Sequence, residues 1–441
     1  MTYEQFFIVF YENISIFLSI LISCLLIGGF LYKRYIYSIF DPLFYNIITS
    51  YAGYSIVFFL FFAGYVDNFY LKSFLVTEIA FTFGFFLIKP LNVFNIPKGR
   101  GSEIFFKISA RVKILCWLSM VLYLMSNLAI FLTVGNPLLN KLAGHLAFQG
   151  GKGIFARINS VTLPIILIYI GYGMYFQRKL DFQRKLSIMV VLFFMVLSGS
   201  KATFLHFMIV LFYMYLFMLR LGVNLKKKFN KIALTLGIAL FTVGVFVTTY
   251  FYSYSSVVQG AYMLLMRIVF TGDVYMFSYP YGIIDKIDVE HGNFFSGLFG
   301  WTLAGMRLMP WENVPKLVGH AMAEYVYKAP LDFAPNSRHN IFGYVYLGFW
   351  GSPVFSFLLG IVSSYMRNLM YYKVRQNIEG MILYILFVLP FFSLVADPVY
   401  AIFQYTSLVF IFVPLYFVAY IVSFSVSKSG KNYRGIIVND Y

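Results

Sequence analysis

Apolar positions along this chain gather into long runs and do not alternate with polar ones. Eleven runs approach the length of a membrane span, roughly 13–31, 43–65, 70–88, 113–133, 159–176, 186–199, 203–222, 232–251, 340–364, 380–396 and 400–425. A helix needs about 20 largely apolar residues to cross a bilayer, fewer where it is broken or wet. The pattern therefore predicts an all-α, polytopic membrane protein with about 11–12 transmembrane helices. Residues 252–339 lie between the eighth and ninth runs as one large loop. Its stretches Tyr262 to Phe270 and Phe294 to Met309 are expected as amphipathic or re-entrant helices. Three regions follow: 1–251 with helices 1–8, the loop 252–339, and 340–441 with helices 9–11 and a tail. A twelfth span would come from an apolar piece of the large loop.

Composition narrows the class. Hydrophobic types make up 61% of the 441 residues and charged types 12%, against about 45–50% and 25% in soluble domains. A soluble globule could not cover such a surface, and a disordered chain would not contain it. Thirty-four Lys and Arg face 17 Asp and Glu, a formal charge of +17. In a soluble chain that excess would suggest nucleic acid; here it reports sidedness, and no nucleic-acid partner is expected. Lys33 and Arg34, the stretches 89–113, 178–185, 220–231 and 367–375, and the tail together hold 23 of the 34 basic residues. The positive-inside rule places them in the cytoplasm, with the C-terminus, and sets the N-terminus and the loop 252–339 outside. That loop carries six basic and seven acidic residues, so the excess lies elsewhere. Trp301 and Trp311 within it suit a bilayer interface. The first run lacks a basic leader and carries Glu4 and Glu12 ahead of it, unlike a cleavable signal. Cys24 and Cys116 fall inside apolar runs, where packing is their expected role.

Several ionisable residues stand out. The short sixth run leads through Ser198-Gly199-Ser200 to Lys201. This lysine either lines a cavity open to the outside or snorkels to the interface. Arg267 and Asp273 share an apolar stretch, where a guanidinium needs a carboxylate or a phosphate. Ahead of the ninth run the chain reads Asn336-Ser337-Arg338-His339-Asn340, a cation and a general-base candidate at a helix mouth, or a helix cap at headgroup level. Asp285, Asp288, Glu290 and His291 offer oxygen and imidazole ligands for a divalent cation, but match no calcium-loop or metallohydrolase spacing, so a solvated loop tip is the favoured reading. His291 and His320 read as loop residues, Asp397-Pro398 as a turn, and Arg157 as a headgroup anchor or a further cation of an anionic site.

About eleven spans rich in Phe and Tyr, a Gly-Ser-Lys turn after a short sixth span, and one large loop two-thirds along make a layout that resembles the Wzy-type O-antigen polymerases. The segment Pro335 to Gly360, with Ser337-Arg338-His339-Asn340, is the most specific local match. The resemblance implies a GT-C-like glycosyltransferase at the periplasmic face of the bacterial inner membrane. It would join oligosaccharide repeat units carried on undecaprenyl diphosphate and release that diphosphate, with a chain-length regulator protein as a partner. Lys201, Arg267, Arg157 and Arg338 would hold the diphosphate. His339 would be the base for the acceptor hydroxyl, with Asp273 or Glu324 as substitutes. No cofactor or metal is required if arginines carry the diphosphate. An O-antigen ligase, or a flippase or other transporter of lipid-linked oligosaccharides, remains as an alternative.

Overall fold

The computed structural model describes all residues except 92–107, 136–152, 177–180, 198–200, 221–233, 236, 239–240, 243, 247, 251–255, 290–291, 330, 332–334 and 437–441. Its regular structure is helical, without strands among the described residues. Nine helical segments there are long and apolar enough to cross a membrane. Eight of them coincide with runs read from the sequence. The ninth, Val257–Ser278, lies inside the segment expected as one loop. Phe182–Leu197, with 16 residues, falls short of a span.

The chain divides into two compact units. The first comprises Met1–Val93, Thr248–Lys373 and Val388–Phe403. Its elements are α1 (Tyr3–Glu12), α2 (Ile14–Tyr32), α3 (Pro42–Phe62), α4 (Asn68–Phe86), α5 (Val257–Val269), α6 (Asp273–Ser278), α7 (Phe294–Gly305), α8 (Val318–Tyr327), α9 (His339–Ser364) and α10 (Pro390–Ala396). Local chemistry sets the starts of these helices. Asp41 accepts the Leu43 N–H at 2.9 Å with Pro42 in the first helical position, and Asp67 accepts the Phe69 N–H at 2.8 Å. Thr2 with Gln5, and Asn293 with Ser296, form reciprocal caps.

Helix α9 is two helices. Gly348 has φ 68° and ψ −173°, a backbone region open to glycine, and the chain folds back there. A Cβ at Gly343 would lie 3.1 Å from the Ser352 Cβ, and His339 meets Ser356 at 3.0 Å, so the two arms run antiparallel. The descending arm packs on α4 through glycines: a Cβ at Gly84 would strike the Phe357 carbonyl, and one at Gly360 the Phe81 carbonyl. Such close approach is how helices associate in lipid, where apolar burial gives little driving force. The short arm therefore starts beside α4. His339 and Asn340 meet Glu78, the middle of that helix.

The second unit comprises Phe94–Val247, Val374–Phe387 and Gln404–Tyr441. Ile154–Phe176 is largely buried and packs on Ala110–Val134. Two of the unit's arginines are ion-paired, Arg184 buried and Arg111 partly exposed. Arg184 pairs with Asp181 at 2.8 Å and lies 4.2 Å from the Tyr169 ring, and Arg111 pairs with Glu379 at 3.5 Å.

Candidate functional site

The first unit gathers four ionisable side chains in its membrane-spanning part. Glu78 comes from α4, Asp273 from the first turn of α6, and Arg338 and His339 from the start of α9. Asp273 is placed by a break in the Val257–Ser278 segment at Phe270–Gly272. Gly272 meets Gly53 of α3 there with no room for a Cβ on either side. The same gap admits Arg338, whose Nη2 would lie 3.0 Å from a Cβ at Gly53.

Arg338 is 2% exposed, with φ 44° and ψ 151°, a strained conformation for a side chain of this size. Its backbone N–H donates to the Ala396 carbonyl at 2.9 Å and its Nε–H to the Thr271 carbonyl at 2.9 Å. The guanidinium sits 5.3 Å from the Tyr54 ring and 5.7 Å from that of Tyr275. Its Nη1 has no hydrogen-bond partner among the described residues. A buried charge-bearing donor left unused is costly, and the carboxylates of Glu78 and Asp273 both act on this guanidinium. Asp273 accepts the Tyr3 hydroxyl at 2.8 Å, and the charges of Arg267 and Arg338 both act on it.

Glu78 is the centre of the second half. Its Oε1 lies 3.4 Å from His339 Nε2 and accepts the Asn340 amide at 3.3 Å. That amide also donates to the Tyr275 hydroxyl at 2.9 Å. His339 Nδ1 lies 3.0 Å from Ser356 Oγ, and its ring stacks on Phe81 with centroids 5.0 Å apart. The serine hydroxyl can donate to Nδ1, while Nε2, though 3.4 Å from Glu78, makes no hydrogen bond among the described residues. Glu78, at 14% side-chain exposure, lines a narrow cleft with Tyr51, Tyr54, Ser50 and Asn46. The cleft holds about 20 Å³ of water-accessible space, room for about one water. His339 is fully buried behind the carboxylate.

The structure thus brings Arg338, His339 and Asp273 together, with Arg267 exposed on α5 nearby. Glu324 stands apart from them on α8 and pairs with Lys316 at 2.5 Å. Next to it, burial and Lys316 push His320 below the ordinary histidine range. Arg157 belongs to the second unit, where it donates to the Thr406 hydroxyl at 3.0 Å and the Ser407 hydroxyl at 3.4 Å. Lys201 opens the helix Lys201–Arg220 of that unit, but its side chain and the turn 198–200 lie outside the described residues. Glu290, His291 and Asp332 lie outside them too. Asp397 accepts the Tyr400 N–H at 3.1 Å, a turn contact. The described residues contain no group of three metal-ligating side chains.

Glu78 was missed by reading motifs and loops. The signal was present: it is a single carboxylate in the middle of the third apolar run, where an ionisable residue is expensive and commonly functional. Comparison with family models, with curated proteins and with solved structures gives no match for this chain.

Proposed function

We propose that this chain is an O-antigen polymerase, a membrane glycosyltransferase acting on undecaprenyl-diphosphate-linked oligosaccharides at the periplasmic face of the inner membrane. The observation that carries the reading is Glu78. It is a carboxylate buried among membrane-spanning helices, facing a cleft, fixed by His339 and Asn340, and close to an arginine with an unused N–H. A transfer between lipid-linked sugars needs these groups. The acceptor hydroxyl gives its proton to Glu78 as its oxygen bonds to the donor's anomeric carbon. The bond from that carbon to the diphosphate oxygen breaks, and undecaprenyl diphosphate leaves with the electron pair. The Nη1 of Arg338 is the preorganised donor available to the charge that develops on it, with Arg267 adding longer-range attraction. His339 acts through Glu78: it holds the carboxylate in one orientation and does not reach the cleft. No step here calls for a metal.

A second reading is favoured by the short arm of α9, a half-helix that starts at His339 inside the membrane-spanning part beside Glu78 and ends at the Gly348 break. Discontinuous helices of this kind bind substrates in transporters, so a flippase for the same lipid-linked oligosaccharide is the alternative. Deletion in the native host followed by analysis of lipopolysaccharide separates them. Polymerase loss leaves core capped by one repeat unit, whereas loss of a flippase or ligase leaves uncapped core. In the polymerase, Glu78→Gln lowers polymer formation about 10²–10⁴-fold, the usual contribution of a general base, at unchanged membrane level. Normal polymer in Glu78→Gln would remove the base from this cluster.

A further inference from the structure

Beyond the buried cluster, the first unit opens into a bowl beside the turn joining α3 to α4. It holds about 580 Å³ of water-accessible space, within the usual ~300–1,000 Å³ of small-ligand sites. Its wall is aromatic, with Tyr65, Phe69 and Tyr70 from the α3–α4 side and Tyr279 and Tyr281 from the segment after α6. Asp67 and Asn68 complete it, and among the described residues no Lys or Arg lines it.

The wall is held in a conformation that local preference opposes. Tyr281 has φ 57° and ψ 19°, and Gly282 follows with φ 61°. Left-handed backbone is disfavoured for tyrosine. It is kept there by the Gly282 N–H on the Tyr279 carbonyl at 3.1 Å and the Lys286 ammonium on the Tyr281 carbonyl at 2.8 Å. A side chain at 282 would meet the Tyr70 hydroxyl at 2.5 Å, so the position suits glycine twice over. The result is a Tyr281 ring 62% exposed, facing Tyr65 edge-on with centroids 6.2 Å apart. Below it, Asp285 accepts the hydroxyls of Tyr70 at 2.5 Å and Tyr344 at 2.9 Å and ties the wall to α9.

We propose that this bowl binds the uncharged sugar rings of an oligosaccharide. The C–H face of a pyranose packs on the electron-rich face of an aromatic ring. Its hydroxyls donate to carboxylate and amide oxygens such as those of Asp67 and Asn68. Phosphate headgroups are disfavoured, because the lining carries an acid and no cation. A ladder of near-parallel rings joins the bowl to the buried cluster. Tyr70 stacks on Tyr279 at 6.0 Å and Tyr279 on Tyr275 at 5.8 Å, and Tyr275 meets the Asn340 that holds Glu78. Along α4, Tyr70 and Glu78 are eight residues apart, or about 12 Å at helical rise. Tyr275 and Tyr279 between them are buried, so the bowl and the Glu78 cleft are separate spaces. That the occupant is the substrate's own oligosaccharide rests on the transferase reading. On that reading the bowl anchors the part of the repeat unit remote from the reacting hydroxyl, where binding energy can be used for orientation.

The test uses the full chain in lipid nanodiscs and, as probe, the oligosaccharide released by mild acid from the host's own lipid-linked pool, followed by saturation-transfer NMR and titration. Binding is expected to weaken roughly tenfold or more in Tyr281→Ala and Phe69→Ala, as for loss of a stacking contact. It should survive in Tyr281→Phe and in Glu78→Gln. No binding by the wild type, equal binding by Tyr281→Ala, or a signal that follows the anionic lipid content of the disc would each overturn the proposal. Failure of the transferase reading looks different: the same binding pattern is kept while Glu78→Gln makes normal polymer. Conversely, polymer lost in Glu78→Gln but normal in both bowl variants keeps the transferase and removes the bowl.

Discussion

Arg367 shows how little a charge's place in the sequence says about its work. In the chain it belongs to a basic stretch that marks the cytoplasmic side. In the fold its Nη2 donates to Asp41 at 2.6 Å and to the Tyr35 carbonyl at 3.0 Å, and its Nη1 to Asn368 at 2.7 Å, with both charged groups wholly buried. Asp41 meanwhile caps α3 through the Leu43 N–H. Removing one partner of such a pair strands the other charge. Asp41→Ala is therefore expected to lower stability by about 3–5 kcal/mol, and Asp41→Leu with Arg367→Met to recover much of that loss. Thermal melts in detergent would check it; a single variant as stable as the wild type would show the pair to be dispensable. Glu78 makes the contrasting case, since its partners leave it facing a cleft, and its expected loss is in activity at unchanged protein level.

At the scale of elements, the decisive feature is the fold-back at Gly348. The run 340–364 reads as one continuous span, because apolar composition is the same on either side of the turn. Only Gly348, one glycine among several in the run, marks the break. Its consequence is that Arg338 and His339, expected at the mouth of a helix, stand level with the middle of α4. That hairpin depends on α4 lying close. Gly84→Val would drive a side chain into the Phe357 carbonyl and separate the two helices. It should cost several times the ~1–3 kcal/mol typical of overpacking with yielding neighbours, since backbone cannot move aside as a side chain can. The readout is loss of the detergent-stable monodisperse peak in size-exclusion chromatography. An undisturbed peak and melt would mean that the helices are not held by this contact.

For the whole molecule, the first unit orders its features along its helices. Asp285 joins Tyr70 and Tyr344 near the α3–α4 turn, the Glu78 cluster lies midway along α4, and Asp41 with Arg367 lies toward the other ends of α3 and α9. The positive-inside rule assigns the Asp41 end to the cytoplasm. Cysteines placed at Asp67 and Lys286 are expected to react with an impermeant maleimide added from outside, and cysteines at Arg34 and Lys373 only after the membrane is opened. Cys24 and Cys116 are free thiols and buried, so the background should be low. The reverse pattern would invert the sidedness and turn the bowl toward the cytoplasm.

The sequence by itself determined that the protein is helical, membrane-spanning and multi-pass, and where most helices lie, because about 20 apolar residues in a row have few other uses and helix caps are written in neighbouring residues. It also picked out Arg267 with Asp273 as charges in an apolar stretch, and Arg338 with His339 as a cation and base candidate at the mouth of a helix. Tertiary structure alone decided that Arg338 and His339 come beside Glu78, that one apolar run doubles back, and that the Val257–Ser278 segment breaks at Phe270–Gly272. Those outcomes depend on glycine contacts between segments far apart in the chain, Gly53 with Gly272 and Gly84 with Phe357. A glycine's local preference does not tell which backbone will come to lie against it.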